Sequence, residues 1–408
     1  MTSKKMTLSE ELTWRGFVHQ TTFKDIKELD KQKRTFYFGV DANSAPSATI
    51  GNLASMMMVK RFVSHGFRPV LLVGGATGRV GDPKDDEERP DVTPETVEAN
   101  KKGIVSQYET ILGGVSPKIV DNYDWFKDIK LIDFLVGIGK KMSMSQLLDR
   151  EFVKARTGEG GSGLSYAEFS YSLIQGYDFL HLFRKEGVTL QLCGSDQWGN
   201  SISGVEMIRK IEGKDAHVWS VPLVVNKSTG KKFGKSEDGA IWLSAEMTSI
   251  FKFYQFWLNL DDDGVGEYIK IYTDIELDDF NILMEEFEKD KSARSAQKYL
   301  AYECTKIVHG EDAAKRARKI TQVLFDGRNV AELSDAEFKE LAEELPNSTE
   351  SDLLQFLVDT GLADSKGAAR RLVEQGAVQI NGEKASLDTK FGTESLVKKG
   401  KNSFAVKL

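Results

Sequence analysis

Cysteine is scarce. Cys193 and Cys304 are the only two in 408 residues, too few for a disulfide framework or a zinc cluster. Histidine is scarce too: His19, His65, His181, His217 and His309 offer no metal-binding pair at helical spacing. No uninterrupted apolar run reaches the roughly 18–20 residues that a membrane span needs, so no membrane partner is expected. The opening MTSKKMTLSEELTWRG turns polar and acidic where a signal peptide carries its apolar core. A reducing cytoplasm is the expected compartment. Eight prolines and 36 glycines are too few for a collagenous or linker-dominated chain. Net charge is −7, from 55 basic and 62 acidic residues. That excludes a chain coated in positive charge for non-specific DNA binding and leaves room for a local basic surface.

What is present is an ordinary globular composition, 40% hydrophobic and 29% charged. The length suits about two to three domains at roughly 150 residues each. TFYFGVD, residues 35–41, reads as a strand. A helix pattern follows over 51–65, then the apolar strand PVLLV at 69–73. The order repeats, with helices near 94–112, 129–153, 166–185 and 196–211 and strands near 117–121 and 188–192. This alternation predicts an α/β fold, with an open parallel sheet of Rossmann type. Residues 247–325 are rich in helix formers and carry few strand signals. The predicted domains are a Rossmann-type domain over 1–244, a helical domain over 245–330, a polar acidic linker over 331–350 and a small α+β domain over 351–408. That tail carries +2, leaving −9 on the rest, so it is the place to look for a polyanion.

Four segments carry chemistry. TIGN, Thr49–Asn52, stands between a strand and a helix, where free N–H groups can hold phosphate. Gly51 lets a flat ligand approach, and Thr49 and Asn52 add side-chain donors; alone, the segment also fits a plain N-cap. GGATGRVGDP, Gly74–Pro83, follows the apolar strand at the end where such sheets bind ligands. Asp82 there either pairs with a ligand ammonium group or caps a tight turn. Tyr171, Gln175 and Asp178 fall at i, i+4 and i+7 and share one helix face. Such a stripe is odd for a core, and Asp178 suits a phenolic hydroxyl. In the next strand–turn–helix, LCGSDQWGN, Gly194 and Asp196 suit a ribose. KKFGKSEDG brings Lys232 and Lys235 to a glycine loop that fits a polyphosphate or an exposed basic turn. The P-loop spacing is absent.

In this order, YFGVD, GGATGRVGDP, NYDW, FSYSLIQGYDF, GSDQWGN, KFGKS and FYQFW resemble the bacterial-type tyrosyl-tRNA synthetases, a class I aminoacyl-tRNA synthetase family, from about Trp14 to the C-terminus. The resemblance implies a ligase that joins L-tyrosine to ATP as tyrosyl-adenylate and passes it to the 3′ end of tRNA(Tyr). It implies ATP with Mg2+ as co-substrate, no tightly bound metal or organic cofactor, and a homodimer. Tyr37 and Asp178 would hold the phenol; Asp82, Tyr171 and Gln175 the ammonium group, with Thr77 and Gln191 nearby. Gly39, Asp41, Gly51, Gly194, Asp196 and Gln197 would line the ATP region. Thr49 and Asn52 stand at the histidine positions of the HIGH motif. Lys232, Lys235 and Ser236 stand in the KMSKS loop, where Lys235 also meets ATP. The tail SKGAARRLVEQGAVQINGEKA resembles the RNA-binding module named after ribosomal protein S-four, which implies RNA contacts from Lys366, Arg370 and Arg371.

The chain departs from the family pattern in three places. Both HIGH histidines are replaced, though by residues that keep hydrogen-bond donors. The stretch before TIGN is one residue longer, leaving Asn43 and Ser44 as alternatives for the phosphate-binding threonine. The loop PKDDEERP is acidic where the family is more basic, with only Lys84 and Arg89 remaining. Tryptophan activation on the same fold and a non-catalytic RNA-binding protein are the competing readings.

Overall fold

The apolar runs become the strands of one sheet in the computed structural model, which describes residues 5–42, 45–81, 93–148, 151–161, 163–230, 233–236 and 239–408. The strands are β1 (Gln20–Thr21), β2 (Thr35–Val40), β3 (Arg68–Val73), β4 (Lys118–Asp121), β5 (Val188–Gly194) and β6 (His217–Val221). Their order is β1-β6-β5-β2-β3-β4. All neighbours are parallel except β1, which runs antiparallel to β6. Phe36, Tyr37 and Val70–Val73 are buried, as continuous apolar strands covered on both faces require. This is the doubly wound α/β architecture, whose ligands bind beyond the carboxyl ends of the strands.

Three differences from the sequence reading have local causes. β6 was not anticipated, although HVWSV is β-branched and aromatic enough to add a strand. The helical stretch expected over 129–153 is broken into Leu131–Gly137, Met144–Leu148 and Glu151–Thr157, with a short 3₁₀ turn at Gly139–Lys141. Glycines 137 and 139 interrupt it. The stretch expected as a linker, 331–350, carries the helix Asp335–Glu344 and the strand β9 given below. Ser334 caps that helix, and Glu337 returns a bond to the Ser334 N–H at 2.8 Å. Phe338, Leu341 and Ala342 are buried, so the acidic residues are the wet face of an amphipathic helix.

The chain forms two compact units. One comprises Met1–Ser249 with Phe256–Val308; the other comprises Ile250–Gln255 with His309–Leu408. The helix Ile250–Leu258 is therefore divided between them, and so is the expected helical domain 245–330. Phe251 packs in the second unit's core with Ile320, Leu341 and Val406. Trp257 packs against Phe233 and Tyr272 of the first.

The first unit also holds the small hairpin β7 (Lys235–Ser236) and β8 (Gly239–Ala240). The second holds a five-stranded sheet from β9 (Asn347–Ser348), β10 (Val378–Ile380), β11 (Glu383–Lys384), β12 (Ser395–Lys399) and β13 (Ser403–Lys407), in the order β11-β10-β12-β13-β9. Asn381 and Gly382 make the turn between β10 and β11, both with positive φ, as a two-residue hairpin demands.

One buried ionic cluster ties the helix Leu8–Arg15 to the helix Ile50–Ser64. Glu11 accepts from Arg15 Nε at 2.8 Å and pairs with His65 Nε2 at 2.7 Å and with Arg61 at 3.6 Å. Arg15 also donates to the carbonyls of Lys270, Thr273 and Ile275 at 2.7–2.9 Å. Burial pushes the Glu11 carboxyl up, but His65, Arg15 and Arg61 outweigh it and hold its pKa at about 2. Replacing Arg15 by alanine strands three carbonyls and a carboxylate. The expected cost is about 3–5 kcal/mol in a urea titration at neutral pH. Because the folded carboxyl is held below its ordinary 4.5, the Glu11 contribution is present above that pH and is lost as pH falls towards about 2. The deficit of Arg15→Ala should shrink over the same window.

Candidate active site

Register sets the geometry at the centre of the sheet. Tyr37 on β2 lies directly opposite Gln191 on β5. Both side chains are buried, and neither the Tyr37 hydroxyl nor Gln191 Oε1 has a hydrogen-bond partner. Burial, with Asp178, Cys193 and Tyr171 nearby, pushes the Tyr37 phenol well above its ordinary pKa. Two buried polar groups left open in this way suit a polar ligand that completes them.

Asp178 comes from the helix Tyr166–Glu186, which Ser165 and Glu168 start with a capping box. Tyr171 and Gln175 lie on the same face and are half-buried, whereas Asp178 is 1% exposed. Asp178 Oδ2 accepts from Asn122 Nδ2 at 3.1 Å, and its Oδ1 accepts from Trp125 Nε1 at 3.0 Å. Asn122 is fully buried and is held on every side. Its Nδ2 also donates to Thr77 Oγ1 at 2.9 Å, and its Oδ1 accepts from the Ala76 N–H at 2.7 Å. Asn122 and Trp125 belong to NYDW, whose spacing alone does not mark them as site residues. Their bonds to Asp178 give that motif its physical meaning. Burial raises the Asp178 carboxyl to about 8; these two donors oppose the rise, and the Asp121 charge adds to it.

The other end of the site lies at the start of the helix Ile50–Ser64. Thr49 has extended backbone and is the N-cap. Its N–H and its Oγ1 both donate to Asn52 Oδ1, at 3.0 and 2.9 Å. The sequence reading made these residues two separate donors. The structure joins them: the Thr49 hydroxyl is engaged, and Asn52 Nδ2 is the remaining donor of the pair. A backbone N–H can only donate, so it fixes which way round the Asn52 amide sits.

The glycine loop lies against this helix start. Gly234 has φ +96°, and a Cβ there would fall 2.9 Å from the Gly51 nitrogen. Gly51 has its own limit, 3.3 Å from the Phe233 carbonyl oxygen. Ile50 N donates to Ile241 O, Ile241 N to Gly234 O, and Leu243 N to Ala48 O. Phe233 is buried among Tyr268, Tyr272, Trp257 and Phe256, with ring centroids 4.6–5.8 Å apart. FYQFW therefore supplies part of the socket that seats the middle of KFGKS. Lys235 and Ser236 pair with Ala240 and Gly239 as the β7–β8 hairpin. Asn43, Ser44, Asp82 and Lys232 lie outside the described residues, as do Lys84 and Arg89.

Gly39 and Asp41 follow Tyr37 at the carboxyl end of β2, and both are exposed. Gly194 ends β5, where a Cβ would fall 2.5 Å from Asp196 Oδ1, so only glycine leaves that carboxylate its place. Gln197 Nε2 approaches Asp196 Oδ2 at 3.4 Å, and its Oε1 accepts from Asn200 at 3.3 Å. In the second unit, Lys366, Arg370 and Arg371 are exposed on the helix Lys366–Glu374, while Ala369 and Val373 are buried. Lys366 comes within 3.8 Å of Asp352.

The raised carboxyl has a measurable consequence. The folded state binds the Asp178 proton more tightly than the unfolded state, so stability falls as pH rises from about 4 towards about 8. Asp178→Asn removes that loss. Its melting temperature relative to the parent, without ligand, should climb across this range and level off above it.

Comparisons with known proteins agree with the fold. The family model for class I tRNA synthetases (W and Y) matches residues 29–326, and the tyrosine–tRNA ligase SYY-like C-terminal domain matches residues 334–406. The tyrosine–tRNA ligase of Streptococcus pyogenes is 41% identical over 98% of this chain and 99% of its own length. Tyrosine–tRNA ligase 2 of Bacillus cereus is 39% identical over the same shares. The C-terminally truncated mitochondrial tyrosyl-tRNA synthetase of Aspergillus nidulans superposes with a TM-score of 0.70 at 29% identity, covering 79% of this chain and 95% of that one. The chain belongs to the class I tRNA synthetases of the W and Y family, on the tyrosine–tRNA ligase branch.

Proposed function

We propose that the buried pocket of Tyr37, Asp178, Gln191 and Thr77 selects L-tyrosine, and that the helix start at Thr49–Asn52 with the glycine loop handles ATP, in an aminoacyl-tRNA synthetase that makes tyrosyl-tRNA(Tyr). The observation that carries this is the unpartnered Tyr37 hydroxyl beside the buried Asp178 carboxylate. A substrate phenol has one hydroxyl, which can donate to the carboxylate and accept from Tyr37. Phenylalanine would leave the Tyr37 hydroxyl without a partner and Asp178 with only its Asn122 and Trp125 bonds; this family is itself the standard example of that kind of rejection. Asp82, Tyr171 and Gln175 take the substrate ammonium group. Gly39, Asp41, Gly51, Gly194, Asp196 and Gln197 receive the nucleotide.

The tyrosine carboxylate is ionised at neutral pH and attacks the α-phosphate of ATP without a general base, releasing pyrophosphate. ATP enters as its magnesium complex. Rate comes from holding the two reactants in line and from donors on the developing phosphate charge. Asn52, Lys232, Lys235 and Ser236 supply those donors, and Thr49 orients Asn52. The tyrosyl group then passes to the 3′-terminal adenosine of the tRNA, whose backbone Lys366, Arg370 and Arg371 meet in a C-terminal RNA-binding domain. No helix among the described residues is long and apolar enough to cross a membrane, and the proposed compartment is the cytoplasm.

ATP–pyrophosphate exchange with tyrosine, phenylalanine and tryptophan tests the reading. Exchange with tyrosine alone is the expected outcome. Lys235→Ala should slow it about 10²–10³-fold, the scale of losing a transition-state donor, with tyrosine binding unchanged. Exchange with tryptophan would move the assignment to the other amino acid of the family. No exchange from folded protein that binds tRNA would leave only a non-catalytic RNA-binding role.

An apolar surface supports the proposed homodimer. Val136, Met144, Leu148 and Tyr166 are exposed and line an apolar groove of about 710 Å³. A second copy would cover an apolar face of the kind that is rare on monomers. Sedimentation should give a dimer for the parent chain and a monomer for Val136→Asp. A parent chain that is monomeric at micromolar concentration would overturn this.

A further inference from the structure

Asn122 and Trp125 hold the Asp178 carboxylate by different means. Asn122 is fixed by three bonds of its own, to Ala76, Thr77 and Asp178, and is fully buried. Trp125 has one indole N–H, and that N–H is the bond to Asp178. A single bond does not fix the plane of a ring. Packing must do so, and the face of Trp125 rests on His181, with centroids 4.3 Å apart and planes 15° from parallel. Phe126 touches the same indole less closely, at 6.5 Å and 46°. His181 lies three residues after Asp178, one turn along the same helix, so the residue that backs the tryptophan and the residue that the tryptophan holds share one rigid element.

We propose that His181 is a positioning residue for tyrosine selection, its ring fixing the Trp125 indole in the plane from which the N–H reaches Asp178. This rests on the reading that Asp178 receives the substrate phenol. His181 does not touch the substrate and transfers no proton. Burial and Lys185 lower its pKa against the opposing Glu186, with Arg184 lowering it further, so it is neutral at pH 7. What it supplies is a flat surface. Without that surface the indole turns, Asp178 loses one of its two donors, and the carboxyl is protonated more readily. The other charge that Asp178 feels is Asp121, which acts in the same direction.

The test uses the full-length chain and ATP–pyrophosphate exchange with tyrosine and phenylalanine between pH 6 and 9. His181→Ala should lower the tyrosine-over-phenylalanine ratio of kcat/KM about tenfold, the scale of weakening one hydrogen bond to a charged group. It should also move the acid limb of the tyrosine kcat/KM to higher pH. His181→Phe keeps a flat ring without a titrating group and should restore both. Trp125→Phe keeps the stack but removes the N–H. It should reproduce the loss, and adding His181→Ala to it should cost little more. If His181→Ala lowers only the melting temperature, with ratio and acid limb unchanged, the proposal is wrong. Additive losses with Trp125→Phe would also sink it. Asp178→Asn separates this inference from the reading beneath it. If that variant keeps full selectivity, the pocket assignment fails and the inference goes with it. If that variant loses selectivity while His181→Ala keeps it, the inference alone fails.

Discussion

The site is organised around one unfavourable act, burying an acidic side chain where water cannot reach it. Asp178 is 1% exposed and sits in the apolar packing between the helix Tyr166–Glu186 and the central strands. A bare carboxylate there would be strongly disfavoured. Asn122 and Trp125 answer part of that demand, and their own placement comes from β4, whose end delivers Asp121 and Asn122 beside Val73 and Ala76. The parallel register that seats Tyr37 opposite Gln191 then closes the pocket from the other side. The remaining demand is what a ligand can meet. Under the proposed assignment, binding strength and selectivity share a cause, since the substrate hydroxyl that would complete the site is also the group that distinguishes it.

Much of this was legible locally. The start of the helix at TIGN, the glycine turns and the stripe Tyr171, Gln175 and Asp178 depend on spacing within a few residues, and spacing is written in the chain. The hairpin at Asn381–Gly382 is of the same kind, because few residue pairs tolerate two positive φ values. The partners of Asp178 were not legible in that way. They come from 56 and 53 residues away, and no periodicity links them. The Thr49–Asn52 pairing was hidden for another reason: each residue is a good donor when considered alone, and only the capped backbone turns one into the other's acceptor. The acidic stretch over 331–350 misled because its charge suggested solvent, while Phe338 and Leu341 show one face turned inward.

The segments at Thr49–Asn52 and Phe233–Gly234 are mechanically one object. Gly51 and Gly234 leave no room for side chains between them, and three backbone hydrogen bonds run along the seam. At its far end, the helix Ile50–Ser64 is held by Glu11 and Asp274 through Arg61 and His65. The loop is held by Phe233 in its aromatic socket. Force applied to either segment is thus carried into packed structure rather than into solvent.

A helix start built from threonine and asparagine has one more consequence. An imidazole there would gain or lose a proton close to neutrality. A hydroxyl bonded to an amide does neither. The pair Thr49–Asn52 therefore adds no group that titrates near neutrality, whereas the Asp178 carboxyl, raised to about 8, does. Under the proposed assignment, acidification would reach recognition of the amino acid, through Asp178, before it reached the hold on nucleotide.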